Sequence, residues 1–324
     1  MNALEHDRPK VSICVPIYNV ERFIGRCVES LLQQTYNNLE FLFINDCTPD
    51  MSMEILRDTL NYYSQRKHQV KIINLPQHRG TSYARNLAID IATGDFIFHV
   101  DSDDWIEIDA IEVLVEKLQK TYADLVFGNS CSHYPNGERR FAERHVFSNN
   151  NPLEYILKKT HNYHVWGHLI LKDLYTSHNI QCKNGTDVGE DLQVLPKLCY
   201  YASNYASVDR AIYHYNKCNP QSVGQKEKNL IWFEQSLESY NIFYTFFEEL
   251  EETKYTEILH QSKNDFLYRS MRDAVMEECK DAYQLLKSEL QKHEVLYPQY
   301  KYCDFRHLLK KNFTIFHYLL KHFR

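Results

Sequence analysis

Thr93-Gly94-Asp95-Phe96-Ile97-Phe98-His99-Val100-Asp101-Ser102-Asp103-Asp104 decides how this chain folds. After the turn Thr93-Gly94-Asp95, the mostly apolar, aromatic and β-branched run Phe96 to Val100 reads as a buried strand. That strand delivers three carboxylates to its C-terminal end, the edge where open α/β sheets bind ligands. Carboxylates this close repel one another unless a cation sits among them, and hard oxygen donors suit Mg²⁺ or Mn²⁺. The competing reading is a solvated acidic turn capping a helix that starts near Ile106, since Asp is a favoured N-cap.

The same alternation of periods fills the first 130 residues. Val11 to Ile17 is a β-branched run, after which Val20, Phe23, Ile24, Cys27, Val28, Leu31 and Leu32 recur at helical spacing. Strands are expected at Leu39 to Ile44, Val70 to Leu75 and Asp124 to Gly128, with helices at Met51 to Tyr63, Thr81 to Ile91 and Ile108 to Leu118. Alternating strands and helices imply a three-layer α/β/α domain with a mostly parallel sheet and right-handed crossovers. A polar hairpin-like stretch surrounds Pro135-Asn136-Gly137, and shorter elements follow over 152–225, where Gly189-Glu190-Asp191 opens a helix. Strand signals vanish beyond 228, so the chain divides into an α/β domain over 1–227 and a C-terminal helical extension over 228–324.

Composition narrows the function. At 324 residues the chain holds one large or two modest domains, and its net charge of −6 argues against a nucleic-acid partner. Nine cysteines contain no C-x-x-C pair, which reads as free thiols in a reducing compartment, neither a zinc site nor a disulfide framework. The polar N-terminus and the lack of eighteen consecutive apolar residues lead to the expectation of a cytoplasmic protein without a transmembrane helix. No two glycines are separated by a single residue, which removes G-x-G-x-x-G and the P-loop together.

Three loops at strand C-termini carry suitable chemistry and would line one crevice: Pro16-Ile17-Tyr18-Asn19, Asn45-Asp46-Cys47-Thr48-Pro49-Asp50 and the Asp101 cluster. Asp50 reads as a helix cap. Asp46 is the better ligand candidate, because its carboxylate can accept a hydrogen bond from a base imide N–H. Val11 to Asn19 followed by Ser30-Leu31-Leu32-Gln33-Gln34-Thr35-Tyr36 resembles the opening of the family 2 glycosyltransferases of GT-A fold. The Asn45 to Asp50 loop resembles their Asp-Asp-Gly-Ser-Thr-Asp loop. Gly80 with Ala84-Arg85-Asn86, then Asp101 to Trp105, match the motifs that follow. The resemblance runs in order over about 10–130, continues more weakly to about 220, and leaves the helical tail outside.

The resemblance implies an inverting transfer of a hexose or N-acetylhexosamine from a UDP-sugar to a glycan or lipid-linked acceptor. It makes 10–130 the nucleotide-binding part and 131–227 the acceptor part. Pro16, Tyr18, Asn19 and Asp46 would hold the uracil; Arg85, Asp101 and Ser102 would belong to the donor pocket. Asp103, with Asp101, would hold the Mn²⁺ or Mg²⁺ on the diphosphate, and Asp191 would be the catalytic base, with Glu190 its rival. The plainer reading of both acids is favourable charge at a helix N-terminus. Asn45 and Cys47 depart from the family's Asp and Gly, His168 from its Lys, and Tyr213 to Lys217 lacks its late Arg. His214 and Lys217 are candidates for reaching the diphosphate, and Trp166 for stacking on the acceptor sugar. The alternatives are a sugar-nucleotide-binding protein without transfer activity, or a nucleotidyltransferase, although the latter normally shows a Gly-rich basic loop near its N-terminus.

Residues 301–324 carry six lysines and arginines against Asp304, with Phe305, Leu308, Leu309, Phe316, Leu319, Leu320 and Phe323 on one helical face. Packing of that face onto the preceding helices is the first reading. Peripheral contact with an anionic membrane is the second.

Overall fold

The computed structural model describes residues 8–141, 152–158, 163–225, 227–250, 253–300 and Phe313. The chain forms two compact units. The first comprises Met1–Pro152, His164–Asp187 and Lys197–Gln225; the second comprises Leu153–Tyr163, Val188–Pro196 and Lys226–Arg324.

In the first unit, β1 (Val11–Ile17), β2 (Leu39–Asn45), β3 (Val70–Asn74) and β4 (Phe96–His99) pair in parallel in the order β3-β2-β1-β4. Burial of almost every residue of β1, β2 and β4 is what a sheet covered on both faces requires. The helices between them are α1 (Ile24–Leu32), α2 (Ser52–Tyr62) and α3 (Thr81–Ile91), close to their expected limits. The turn before β4 is held by a buried carboxylate. Glu40 accepts the Ser12 hydroxyl and the Thr93 N–H, and Gly94 N–H donates to Ser12 Oγ at 2.9 Å. Burial alone would raise the Glu40 pKa, but these donors and Lys71 outweigh it and bring it down to about 2.

The α/β class stands, while the continuation of the sheet differs from the simple alternation expected. The short β5 (Trp105–Ile106) and α4 (Ala110–Thr121) follow, then β6 (Leu125–His133) and β7 (Arg139–Phe141), a hairpin around Pro135-Asn136-Gly137. After α5 (Pro152–Lys158), β8 (His168–Leu171) inserts antiparallel between β4 and β6. The expected fifth strand is therefore longer than Asp124 to Gly128 and is not β4's neighbour. The reason is packing: His168, Leu169 and Ile170 are buried between the two strands. Beyond α6 (Lys172–Ser177) and α7 (Glu190–Tyr201), β9 (Tyr205–Asn216) pairs parallel to β6 and antiparallel to β5, so the sheet is mixed at this end.

In the second unit, α8 (Leu230–Glu249), α9 (Thr253–Met276) and α10 (Lys280–Leu296) pack around Phe233, Leu237, Leu267, Met271, Tyr283 and Leu286. Between these helices lies a buried polar chain. The Tyr244 hydroxyl meets His260 Nδ1 at 2.7 Å, His260 faces His293 Nε2 at 3.3 Å, and His293 Nδ1 meets Asn264 Oδ1 at 3.0 Å. No helix among the described residues is long and apolar enough to cross a membrane. The expectation for 301–324 lies outside the described residues, Phe313 apart, whose ring meets the edge of Tyr283 at 5.3 Å.

Burial, then the Lys263 charge and His260, lower the His293 pKa to about 3. The folded unit therefore holds this ring neutral, whereas the unfolded chain takes up the proton near 6.5. The unfolded state binds more protons in that interval, so stability falls as pH drops from about 6.5 towards 3. Thermal unfolding at pH 7 and pH 4.5 should show a loss on acidification that is smaller in His293→Gln. An identical loss in both would remove His293 as its source.

Candidate active site

The C-terminal ends of β1, β2 and β4 lie on one edge of the sheet, and their loops are tied together through the start of α3. Asp46, just past β2, is 2% exposed. Its carboxylate accepts the Arg79 N–H at 2.6 Å and the Gly80 N–H at 2.8 Å, and lies 2.8 Å from His78 Nδ1. The His78 ring stacks on Tyr18 at 3.9 Å, joining the β1 loop to this junction. Asn19 adopts φ 56°, its N–H donates to Thr48 Oγ1 at 2.8 Å, and its amide reaches Gln221. Asp50 holds the loop before α2, accepting the Glu21 N–H at 2.9 Å and the Ser52 N–H at 3.1 Å, while the N-cap position itself is Met51.

Gly80 has φ +88° and ψ 165°, a region essentially confined to glycine, and a Cβ there would stand 2.1 Å from Asp187 Oδ2. Asp187 in turn accepts the Ser82 N–H at 3.0 Å, satisfying one of α3's first-turn donors. One turn along α3, buried Arg85 donates from Nη2 to Asp101 Oδ1 at 2.7 Å. Asn86 clamps the segment before Asp187, bonding Cys182 O at 2.8 Å and receiving the Cys182 N–H at 3.0 Å.

The three carboxylates after β4 do not share one environment. Asp104 is fully buried, and its oxygens accept the Tyr213 hydroxyl and the Asn216 N–H, both at 2.7 Å. Burial, then the charges of Asp103 and Asp101, push its pKa far up. Asp104 is therefore structural. Tyr213 also accepts the Asp101 N–H at 3.1 Å, so one phenol serves both carboxylates' residues. Asp103 is only partly enclosed; Asn219 donates to its Oδ2 at 2.8 Å and Asn216 to its carbonyl at 3.1 Å. Burial, then Asp101, push Asp103 up to about 6. Ser102 is 5% exposed within this loop. Pro16 sits at the end of β1 opposite Ile44.

The donor set fits a hard divalent ion. Two oxygen-bearing side chains, Asp101 and Asp103, stand together with their negative charges unfavourable to one another, the condition a cation relieves. Arg85 offsets part of the charge on Asp101 and acts through it.

The other residues that the sequence singled out have partners of their own. His168 is buried, its ring 4.8 Å from Phe127 and its Nδ1 3.4 Å from the Gly128 N–H, so it is a core residue. Trp166 is 7% exposed and stacks on His164 at 3.6 Å and Tyr213 at 4.3 Å, which is core packing. Lys217 lies over the Tyr215 ring at 4.2 Å, and His214 pairs with Glu107 at 2.7 Å. Asp191, with Glu190, occupies the first turn of α7, within Val188–Pro196 of the second unit. Residues that sequence reasoning missed are His78, Asp187, Tyr213, Asn216 and Asn219. The last two carried a signal: each side chain accepts the N–H two residues on, at 3.0 Å, the Asx-turn chemistry that Asn residues favour.

Residues 12–175 match the model of glycosyl transferase family 2, and the chain belongs to that family. This places it among the glycosyltransferases. Glycosyltransferase GlyA of Streptococcus pneumoniae serotype 4 is 38% identical over 38% of this chain and 17% of its own length. EpsJ of Bacillus subtilis, an uncharacterized glycosyltransferase, is 31% identical over 66% of this chain and 63% of its own. The chain thus spans less than two thirds of the length of either relative. Among solved structures, Staphylococcus aureus TarS 1-349 in complex with UDP-GlcNAc superposes with a TM-score of 0.60 at 17% identity, covering 91% of this chain and 93% of that one. A Pyrobaculum calidifontis mannosyltransferase in complex with GDP-Man and Mn²⁺ gives 0.55 at 17% identity, covering 97% and 87%. These likenesses show the fold.

Tyr213→Phe removes a donor from a fully buried carboxylate and an acceptor from the Asp101 N–H. A loss of about 1–3 kcal/mol in urea unfolding is expected; an unchanged midpoint would show that Asp104 needs no phenol. Gly80→Ala should cost about 1–3 kcal/mol through its backbone conformation. Because that cost is conformational, Asp187→Ala in the same chain should relieve only the steric part. Full recovery in the double variant would mean that the clash alone mattered.

Proposed function

We propose that this protein transfers a hexose or N-acetylhexosamine from a UDP-sugar to a glycan or lipid-linked acceptor hydroxyl with inversion at the anomeric carbon. The observation that carries the reading is the acidic loop after β4, where burial and then the neighbouring Asp101 disfavour the charge on Asp103. Asp103, with Asp101, would hold Mn²⁺ or Mg²⁺, and the ion when bound supplies Lewis-acid stabilisation of the leaving diphosphate. The structural likeness to TarS with UDP-GlcNAc supports a UDP-sugar, and the mannosyltransferase bound to Mn²⁺ supports a divalent ion.

The chain's own residues do the rest. Tyr18, Asn19 and Pro16 offer the loop beside which the base would lie, with Tyr18 an exposed residue whose ring stacks on His78. Asp46 is assigned the imide contact on the family resemblance alone, and its carboxylate also fixes the His78–Gly80 turn. Arg85 steadies Asp101 for contact with the ribose or the ion's surroundings, and Ser102 shapes the same loop. An inverting displacement needs a base to take the acceptor's proton, and Asp191 is assigned to that step on its family motif. A sugar-nucleotide-binding protein without transfer, or a nucleotidyltransferase, would differ in products.

A panel of UDP-sugars, assayed for UDP release with and without Mn²⁺, tests this. Asp103→Ala should abolish metal-dependent UDP binding without unfolding the chain. Asp191→Asn should keep donor binding and lose about two to four orders of magnitude in transfer. Retained UDP affinity in the first variant would sink the metal assignment. Loss in Glu190→Gln with turnover intact in Asp191→Asn would move the base to Glu190.

A further inference from the structure

The strand pair β6/β9 assembles a second cluster that C-x-x-C spacing could not reveal. Their parallel register sets Cys131 opposite His214, and His133 follows Cys131 by two positions, on the same face. Cys131 Sγ and one nitrogen from each ring lie within 4.8 Å of one another. His133 Nε2 and His214 Nδ1 face each other at 2.9 Å, while the other nitrogen of His214, Nε2, lies 2.7 Å from Glu107 Oε1. A carboxylate on one imidazole nitrogen fixes the proton there and turns the other into a lone-pair donor. Trp105 buttresses both rings, stacked on His214 at 5.1 Å and tilted against His133 at 4.5 Å.

We propose that Cys131, His133 and His214 form a second metal site that takes Zn²⁺ through one thiolate and two imidazole nitrogens. Glu107 orients His214, and water completes the fourth position. One sulfur and two nitrogens form a borderline-soft donor set, which selects zinc over magnesium or manganese. Zn–S and Zn–N distances of about 2.3 and 2.0 Å put tetrahedral ligand atoms about 3.3–3.6 Å apart, which side-chain rotation from the observed cluster supplies. On binding, His133 moves its ring proton from Nε2 to Nδ1. The Cys131 thiol proton leaves to solvent, so one proton is released per ion.

The surrounding charges suit that change. Arg26 lies 3.2 Å from the centre of the Trp105 ring, and Arg139 is opposite His133 in the β6–β7 register. Burial first, then His214 and the two arginines, lowers His133; burial first, with the two arginines, lowers His214 although Glu107 pulls it the other way. Burial raises the Cys131 thiol while Arg139 opposes it. Such an ion would clamp β6 to β9 just beyond the irregular register between Phe127 and Ser130. β9 carries Tyr213 and Asn216, so the clamp also steadies the strand that holds the acidic loop.

Cobalt titration of the chelator-treated full chain tests the proposal, because a thiolate–Co²⁺ charge-transfer band reports sulfur ligation that an all-oxygen site lacks. One equivalent should give that band, displaced by Zn²⁺, retained in Asp103→Ala and absent in Cys131→Ser. His133→Asn, altering a partly exposed ligand, should weaken Zn²⁺ binding by at least about 100-fold if Cys131→Ser does not fold. Glu107→Gln should keep the band and weaken binding about 10- to 100-fold, the scale of a lost orienting partner. No charge-transfer band in the folded wild-type chain would overturn the site. So would a band that survives Cys131→Ser, or unchanged affinity in His133→Asn.

Discussion

Repulsion among the carboxylates after β4 is the constraint on which the arrangement of the first unit depends. Asp104 has no exposure at all, and its neighbours Asp103 and Asp101 raise the cost of its charge further. A buried carboxyl group is tolerated only when hydrogen-bonded. Its partners come from Tyr213 and Asn216, 109 and 112 positions later. The acidic loop therefore requires β9 beside β5, which explains why a two-residue strand is worth forming there. Arg85 meets the same need for Asp101 from α3, and Asn219 for Asp103 from beyond β9. A sheet edge presenting acids to solvent is cheap to build; one that also buries a third acid must bring distant donors with it.

This constraint separates what was legible in the sequence from what was not. The parallel core was legible because β1 through β4 and their helices are set by local periodicity, and both-face burial leaves near-continuous apolar runs such as Leu39 to Ile44. β9 was not. Its Tyr-Ala-Ser-Val-Asp-Arg sequence is half exposed, with two charged residues in mid-strand, and its strand character comes from pairing with β6 across a bulged register. The antiparallel place of β8 was hidden for the same reason, since a histidine and three apolar residues fit either direction until their neighbours are known. Site residues divide likewise. Asp46, Asp101 and Asp103 stand at strand ends and could be picked out, whereas Tyr213 and Asn219 matter only through what they touch.

Asp46 shows how one residue carries more than motif reading assigns to it. Family resemblance connects it to a base, yet its burial and its acceptance of two consecutive backbone N–H groups make it the cap of the turn that opens α3. The turn must pass through Gly80, whose conformation and lack of Cβ let Asp187 approach. Three loops and α3 thus share one junction, and moving any of them moves Arg85 and, through it, Asp101. The second unit solves a related problem differently. Its buried Tyr244, His260, His293 and Asn264 carry neutral groups in a hydrogen-bonded chain, so no counter-charge is required.

Consecutive residues of β9 serve two different chemistries, and strand alternation is what keeps them apart. Tyr213 and Tyr215 take one face, where Tyr213 stacks on Trp166 and Tyr215 is tilted against it, and the Tyr213 hydroxyl extends to the oxygen-rich loop. His214 takes the other, stacked on Trp105 and facing His133 and Cys131. Carboxylate oxygens favour hard ions such as magnesium and manganese, while thiolate and imidazole favour zinc. A protein that offered both donor sets in one pocket would let zinc compete for the oxygen site. Here the pleat separates them by a single residue, and the strand that separates them is also the one that both sides need held in place.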